Sequence, residues 1–419
     1  MDYSNTSGFN EKPLKALCRM NTKSLGEDTD PDQQIRYIDI GGVSYQEGVT
    51  SRETLTFSSA PSRARRCVKK GDIIISTVRT YLRAVAMIDD ADDGAIASTG
   101  FAVCRANEDT DARFLYYAMM AEPFIEQVIV KSTGISYPAI NSSTLGGIKL
   151  LAPDRQRQAA IAAFLDRETR RIDDLIAEKD SFIALLREKR VAEISHAVTK
   201  GINPDTPMKP SGAEWLGNVP THWEAVRLGV LFKEADRKGD PGLPVLSVSI
   251  HDGVSDDEVA DEDRARKVAL SEDRSVYQGV LPGDLVYNMM RAWQGGFGAV
   301  ATEGLVSPAY VVARPLSDAR TKFIELQLRT PQAVEEMRRY SKGIADFRMR
   351  LYWEHFRNVR VAIPSPEEQD RILAAIDREI TRIDGLITET ERSIALLKEK
   401  RAALITAAVT GKIDVRSAA

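Results

Sequence analysis

Apolar side chains recur at Ile161, Leu165, Ile172, Ile176, Ile183, Leu186 and Ile194, with mostly polar residues between them. Steps of three, four and seven place all of them on one helical face, close to the seam of a coiled coil. The stripe returns 211 positions later at Ile372, Ile376, Ile383, Ile387, Ile394, Leu397 and Ile405. Each stretch predicts a helix of about 40 residues, on the order of 60 Å long, more than a compact domain needs. Start signals agree. Asp154 follows Pro153 and caps the first helix. Ser365 caps the second, with Pro366 in its first turn and Glu368 completing a capping box. Gly385 costs about 1 kcal/mol against alanine inside that helix, a cost that tertiary packing offsets.

The match reaches beyond the stripe. Residues 153–202 align with 364–413 without a gap, roughly half the positions being identical, among them IALLREKR (183–190) against IALLKEKR (394–401). This is an internal duplication. The segments before each helix also correspond, more weakly: GDIIISTVR (71–79) with GDLVYNMMR (283–291), STGFAVCRA (98–106) with SPAYVVARP (307–315), FLYYAMMAEPF (114–124) with FIELQLRTPQA (323–333), and STGI (132–135) with SKGI (341–344). Gly71-Asp72 and Gly283-Asp284 mark turns that open apolar, β-prone runs. The order is domain–helix–domain–helix: a globular domain over 1–152, a helix over 153–202, a linker and second domain over 203–363, and a helix with a tail over 364–419. The Pro- and Gly-rich stretch MKPSGAEWLGNVPTHWEAVRL (208–228) reads as a linker and an entry segment to the second domain.

Composition narrows the class. A chain of 419 residues with 43% apolar and 28% charged content predicts a soluble protein of two or more domains. It has no apolar run long enough to cross a membrane, and MDYSNTSGFNEK does not read as a signal peptide. Cys18, Cys67 and Cys104 form neither a disulfide framework nor a metal spacing, so a reducing cytoplasm is the expected location. His196, His222, His251 and His355 show no zinc or iron spacing and are expected at the surface or in packing. No methyltransferase cofactor loop, no Asn/Asp-Pro-Pro-aromatic motif and no Walker A sequence occurs, and no nuclease-like cluster stands out. The chain is expected to have no catalysis of its own.

SGAEWLGNVPTHWEAVRL, the paired Gly-Asp openings, and the P-x-x-EQ-x-x-I helix start followed by IALL-x-EKR resemble the specificity subunit of type I restriction–modification systems, over nearly the whole chain. Two features depart from that pattern. The first helix begins Arg157-Gln158 where the second has Glu368-Gln369, and the first domain lacks a counterpart of EWLG…HWE. The resemblance implies an α+β fold: two globular α/β target-recognition domains joined by two long helices that form an antiparallel coiled coil with a pseudo-two-fold repeat. Each domain would read one half of a split sequence in double-stranded DNA. The helices would dock two modification (methyltransferase) subunits, with restriction subunits added for cleavage. This subunit would carry no cofactor, while its partners would use S-adenosylmethionine, ATP and Mg. The rival reading is a coiled-coil scaffold with no DNA role; two dissimilar globular inserts weigh against it.

Net charge does not favour DNA. The whole chain is at −4, residues 1–152 hold 17 basic against 19 acidic residues, and residues 203–363 hold 21 against 23. Contact must come from local clusters. RARRCVKK (63–70) supplies Arg63, Arg65, Arg66, Lys69 and Lys70. Residues 337–360 hold seven basic and two acidic residues interleaved with aromatics, giving Arg338, Arg339, Lys342, Arg348 and Arg350 as candidates. The alternative there is a solvated helix and strand whose aromatics lie in the core, with DNA contact favoured for Arg348 and Arg350. Arg79 and Arg291, each seven residues after a matched Asp, are either DNA contacts or surface strand ends. In the first domain Lys131, Ser132, Ser136, Tyr137 and Asn141, extended by Ser142 and Ser143, match the Lys342–Arg350 stretch; a plain polar turn is the alternative.

Overall fold

The computed structural model describes residues 8–45, 47–250, 253–255, 274–343 and 349–415. The chain forms two compact units, one of residues 1–180 and 391–419, the other of 181–390. The two long helices, Arg155–Lys200 and Pro366–Val409, each contribute to both.

The first unit is built on an antiparallel sheet in the order Cys18–Met20, Phe101–Ala106, Ile73–Ser76, Val85–Met87. Gly71 takes φ +84°, a left-handed turn suited to glycine. Asp72 then accepts the Lys69 N–H (2.8 Å) and pairs with Arg105 while nearly fully buried. The motif thus closes a turn and anchors a strand whose four residues are all buried. A second sheet runs Glu53–Thr56, Gln34–Ile38, Ile96–Ser98, Ala64–Cys67, with the middle pair parallel. Helices Ala112–Met120 and Glu122–Val130 cover the first sheet and share a core with Ile161 and Leu165 of one long helix and Ile405, Ala408 and Val409 of the other.

The second unit repeats this plan. Its sheet runs Phe232–Ala235, Tyr310–Pro315, Leu285–Asn288, Phe297–Ala299, all antiparallel. Gly283 has φ +92°, Asp284 accepts the Leu281 N–H (2.9 Å), and its buried carboxylate pairs with Arg237. Helices Thr321–Leu328 and Pro331–Tyr340 follow, as their counterparts do in the first unit.

Both long helices start on the same device. Gln158 is buried; its amide donates to Pro153 O (2.8 Å) and its oxygen accepts the Asp111 N–H (2.9 Å) at the cap of Ala112–Met120. Gln369, its repeat, donates to Pro364 O (2.9 Å) and accepts the Arg320 N–H (2.7 Å) at the cap of Thr321–Leu328. Asp154 accepts the Arg157 N–H, as expected for a cap. The capping box predicted at Ser365 closes differently. Ser365 accepts the Glu368 N–H (3.4 Å), but the Glu368 carboxylate turns to His222 Nε2 (2.8 Å) and Trp223 Nε1 (3.1 Å). Hydrogen bonds from its own backbone and from Ser365 hold the neighbouring Glu367 carboxyl below its usual range. A deeply packed indole N–H needs a partner more than an exposed helix end does.

In each unit the long helices run antiparallel. Asp173 pairs with Arg401 (2.9 Å) in the first unit, where Leu165 shares a core with Val409. Asp384, the repeat of Asp173, pairs with Arg190 (3.6 Å) in the second, where Val198 shares a core with Ile372. The arginines that end IALLREKR and IALLKEKR therefore each reach the other long helix within their own unit. Every member of the predicted apolar stripes is buried or half-buried.

Residues 208–228 are a packed part of the second unit. Met208–Pro210 pairs with Asn218–Pro220, Trp223 is fully buried, and Lys200 donates to Leu216 O (2.9 Å) and Asn218 O at the end of the first long helix. Burial there lowers the Lys200 pKa. The first unit has a partial structural counterpart of this segment. Phe9 precedes strand Asn10–Pro13 as Trp223 precedes Glu224–Arg227, and Arg157, the repeat of Glu368, stacks its guanidinium on the Phe9 ring (4.6 Å). Among the described residues no helix is long and apolar enough to cross a membrane.

Candidate nucleic-acid interface

Two loops meet at one end of the main sheet in each unit. In the first unit they are the strand connection at 77–84 and the loop at 131–141. Val78 bridges Ala139, the Arg79 N–H donates to Pro138 O (2.7 Å), and Ile140 N–H donates to Thr77 O (2.9 Å). The Thr80 and Ser132 hydroxyls lie 2.8 Å apart. Thr133 and Ala139 exchange both backbone bonds, so residues 134–138 form a closed tip. In the second unit Lys342 and Arg350 exchange the same pair of bonds at 2.9 Å, and Leu351 N–H donates to Met289 O. The weakly matched sequences thus form equivalent loops.

The candidates divide by location. Arg79 is exposed and lies over the Tyr137 ring (4.9 Å). Lys131, at the end of helix Glu122–Val130, and Ser136 and Tyr137 in the tip are all exposed. Asn141 sits in the same loop, but its side-chain oxygen is committed to the Thr144 N–H (2.8 Å) as a helix cap. In the second unit Lys342 and Arg350 are exposed at the loop base, and Arg291 is half-buried beside them on the strand connection. Arg338 lies over the half-buried Trp293 ring (5.8 Å), whereas Arg339 is paired with Glu214 (3.0 Å). Arg348 lies outside the described residues, as does Phe347. Of the other aromatics in this stretch, Phe356 is core, Tyr340 and Trp353 are half-buried and Tyr352 is exposed, so the core alternative holds for some and not others.

The RARRCVKK run is not a bare cationic patch. Arg63 pairs with Asp39 and Arg66 donates to Ser24. Arg65 lies over the Phe57 ring (4.6 Å). Lys70 pairs with Asp90 (2.7 Å), and that hydrogen bond raises its pKa. Lys69 is exposed. Much of the run's charge is used inside its own unit, on strand Ala64–Cys67 of the second sheet and the turn that follows it.

Sequence reasoning passed over Tyr81 and Leu82. Both are exposed on the short turn Thr80–Leu82, whose flanking residues Arg79 (φ 51°, ψ 47°) and Arg83 (φ 55°, ψ 27°) are left-handed. That conformation costs an ordinary residue on the order of 1–2 kcal/mol. The available signal was the string RTYLR itself, two large apolar residues bracketed by arginines where a surface turn favours small polar ones.

Fold and interface together define a class: a protein of two similarly built units, each fixed to a pair of antiparallel helices and each presenting a two-loop surface. No family model matches the chain. It is 22% identical over 332 residues to the specificity subunit of the type I restriction enzyme EcoBI of Escherichia coli, covering 75% of this chain and 69% of that one. It is 27% identical over 104 residues to the HindI specificity subunit of Haemophilus influenzae, covering 24% and 23%. Among solved structures, a chain of a type I restriction–modification system matches with a TM-score of 0.70 and 20% identity, covering 98% of this chain and 100% of that one. The HsdS subunit of Thermoanaerobacter tengcongensis matches at 0.54 and 20%, covering 98% and 99%. In sequence and in fold the chain is similar to type I specificity subunits.

Proposed function

We propose that this chain is the DNA-reading, non-catalytic subunit of a type I restriction–modification complex. The observation that carries the reading is the repeated architecture. Two units with the same sheet order hang from the same glutamine clamp on a duplicated helix, yet differ in the side chains of their exposed loops. Such a chain suits an asymmetric, two-part DNA target, with each unit reading one part and the helices setting the unread gap. Arg79, Lys131, Ser136 and Tyr137 in the first unit, and Arg291, Arg338, Lys342 and Arg350 in the second, are the residues we assign to DNA. The duplicated helices would offer like surfaces to two modification subunits, with restriction subunits joining for cleavage. S-adenosylmethionine, ATP and Mg would be held by those partners, in the cytoplasm.

The test is domain exchange. Residues 1–150 are replaced by the equivalent part of a relative, and methylation is mapped by single-molecule sequencing of DNA from cells carrying the chain and its partner genes. One half of the methylated sequence should change while the other stays. A change in both halves, or methylation independent of this chain, overturns the reading.

A further inference from the structure

The turn Thr80–Leu82 is an odd use of sequence. At the position of Arg83 the second unit has Gly295, which takes a left-handed backbone (φ 87°) without steric cost. The first unit places an arginine there instead and fixes it with a two-pronged bond to Glu122, both contacts at 2.7 Å. Arg79, left-handed on the other side, is held by Pro138 O and the Tyr137 ring. Between the two fixed arginines, Tyr81 (52% exposed) and Leu82 (47%) face outward. Beside them, across the cross-bonded loop, stand the exposed Ile135 and Tyr137. Single exposed apolar residues need no explanation. Four on two bonded loops, two of them on a turn flanked by strained arginines, form a built feature.

We propose that Tyr81 and Leu82 form a wedge that enters the minor groove of DNA and partly unstacks one base step. The first unit would then read its half-site through the deformability of that step as well as through base contacts. This rests on the DNA-reading function proposed above. Proteins that bend DNA from the minor groove insert rigid apolar side chains of this kind between bases, flanked by cations for the phosphates. Arg79 and Lys131 supply those cations, and the matching loops of the second unit carry Arg291, Lys342 and Arg350, so the corresponding surfaces of both units suit a polyanion. Pyrimidine–purine steps unstack most easily and are the expected target.

The experiment uses the full chain and a library of random-sequence duplexes, with bound duplexes sequenced after selection. Wild type should enrich a half-site with a pyrimidine–purine step at one fixed position. A 2-aminopurine placed beside that step should brighten on binding. The Tyr81→Ala/Leu82→Ala variant should keep its melting curve and salt dependence, lose the brightening, and lose about tenfold discrimination at that step alone. Lys131→Ala should instead weaken binding to all sequences and lower the salt slope by about one. A double variant that keeps both the step preference and the signal overturns the wedge while leaving DNA reading intact. So does a double variant that reads DNA normally but no longer binds a methyltransferase subunit, which would make the patch a protein interface. A wild-type chain that enriches no sequence overturns the underlying function instead.

Discussion

Replacing Gln369 with leucine tests whether the repeated glutamine joins helix to recognition body. The change keeps the volume and removes two bonds, to Pro364 O (2.9 Å) and from the Arg320 N–H (2.7 Å). Gln369 is only 1% exposed, so water does not readily replace it. A backbone group left buried without a partner costs about 1–3 kcal/mol. With two such groups the variant should lose about 2–6 kcal/mol, and Gln158→Leu should cost the first unit a similar amount. At a urea slope of about 2 kcal/mol per molar, the midpoint of the affected transition should fall by about 1–3 M. Amide exchange at Arg320 should speed up by at least about 30-fold, and at Asp111 in the other variant. Gln369→Glu adds a check of sign. Protonated, a glutamic acid can both donate to Pro364 O and accept from Arg320; ionised, it faces that carbonyl with a buried charge. Its folded pKa should therefore be raised, and the deficit against wild type should be small below the ordinary carboxyl range and grow as pH rises through the folded value. If Gln369→Leu melts within 0.5 kcal/mol of wild type, the clamp is incidental and the repeat of this residue has another cause.

Arg401→Ala should cost more than Arg190→Ala in urea unfolding, roughly 1–2 against 0–0.5 kcal/mol, because Arg401 is 13% exposed and Arg190 is 45% exposed. The Arg320 hydrogen bond lowers the Asp370 pKa; the stability difference between wild type and Asp370→Asn should be present above the ordinary aspartate value and vanish as pH falls through the lowered one, as read by thermal melts across pH. Arg350→Ala should reduce the salt slope of duplex binding by about one, measured by fluorescence anisotropy, with no change in the preferred bases if Arg350 meets a phosphate.

The long helices were legible because a seven-residue stripe repeated over many turns admits one reading, and the duplication supplied each helix with its own control. The Gly-Asp turns were legible because a left-handed glycine followed by a capping carboxylate is local chemistry. The glutamine clamp was visible as a repeated letter, but its role depends on the carbonyls of Pro153 and Pro364, which no side-chain pattern encodes. Phe9 and Trp223 were not matched because they share size and place but little surrounding sequence. The capping box misled because Glu368 had a better partner 145 residues away, in Trp223. The interface was the least legible part. Whether an arginine is free depends on distant partners, such as Asp39 for Arg63 or Glu214 for Arg339.

The first unit draws on two segments separated in sequence, 1–180 and 391–419, whereas residues 181–390 are continuous. On the ribosome the second unit is complete while residues 391–419 are still to come, and it can fold as soon as it emerges. The first unit must wait with Ile161 and Leu165 uncovered until Ile405, Ala408 and Val409 arrive. A nascent chain stalled anywhere in that interval carries an open apolar face, which is where chaperone dependence and loss by truncation should concentrate.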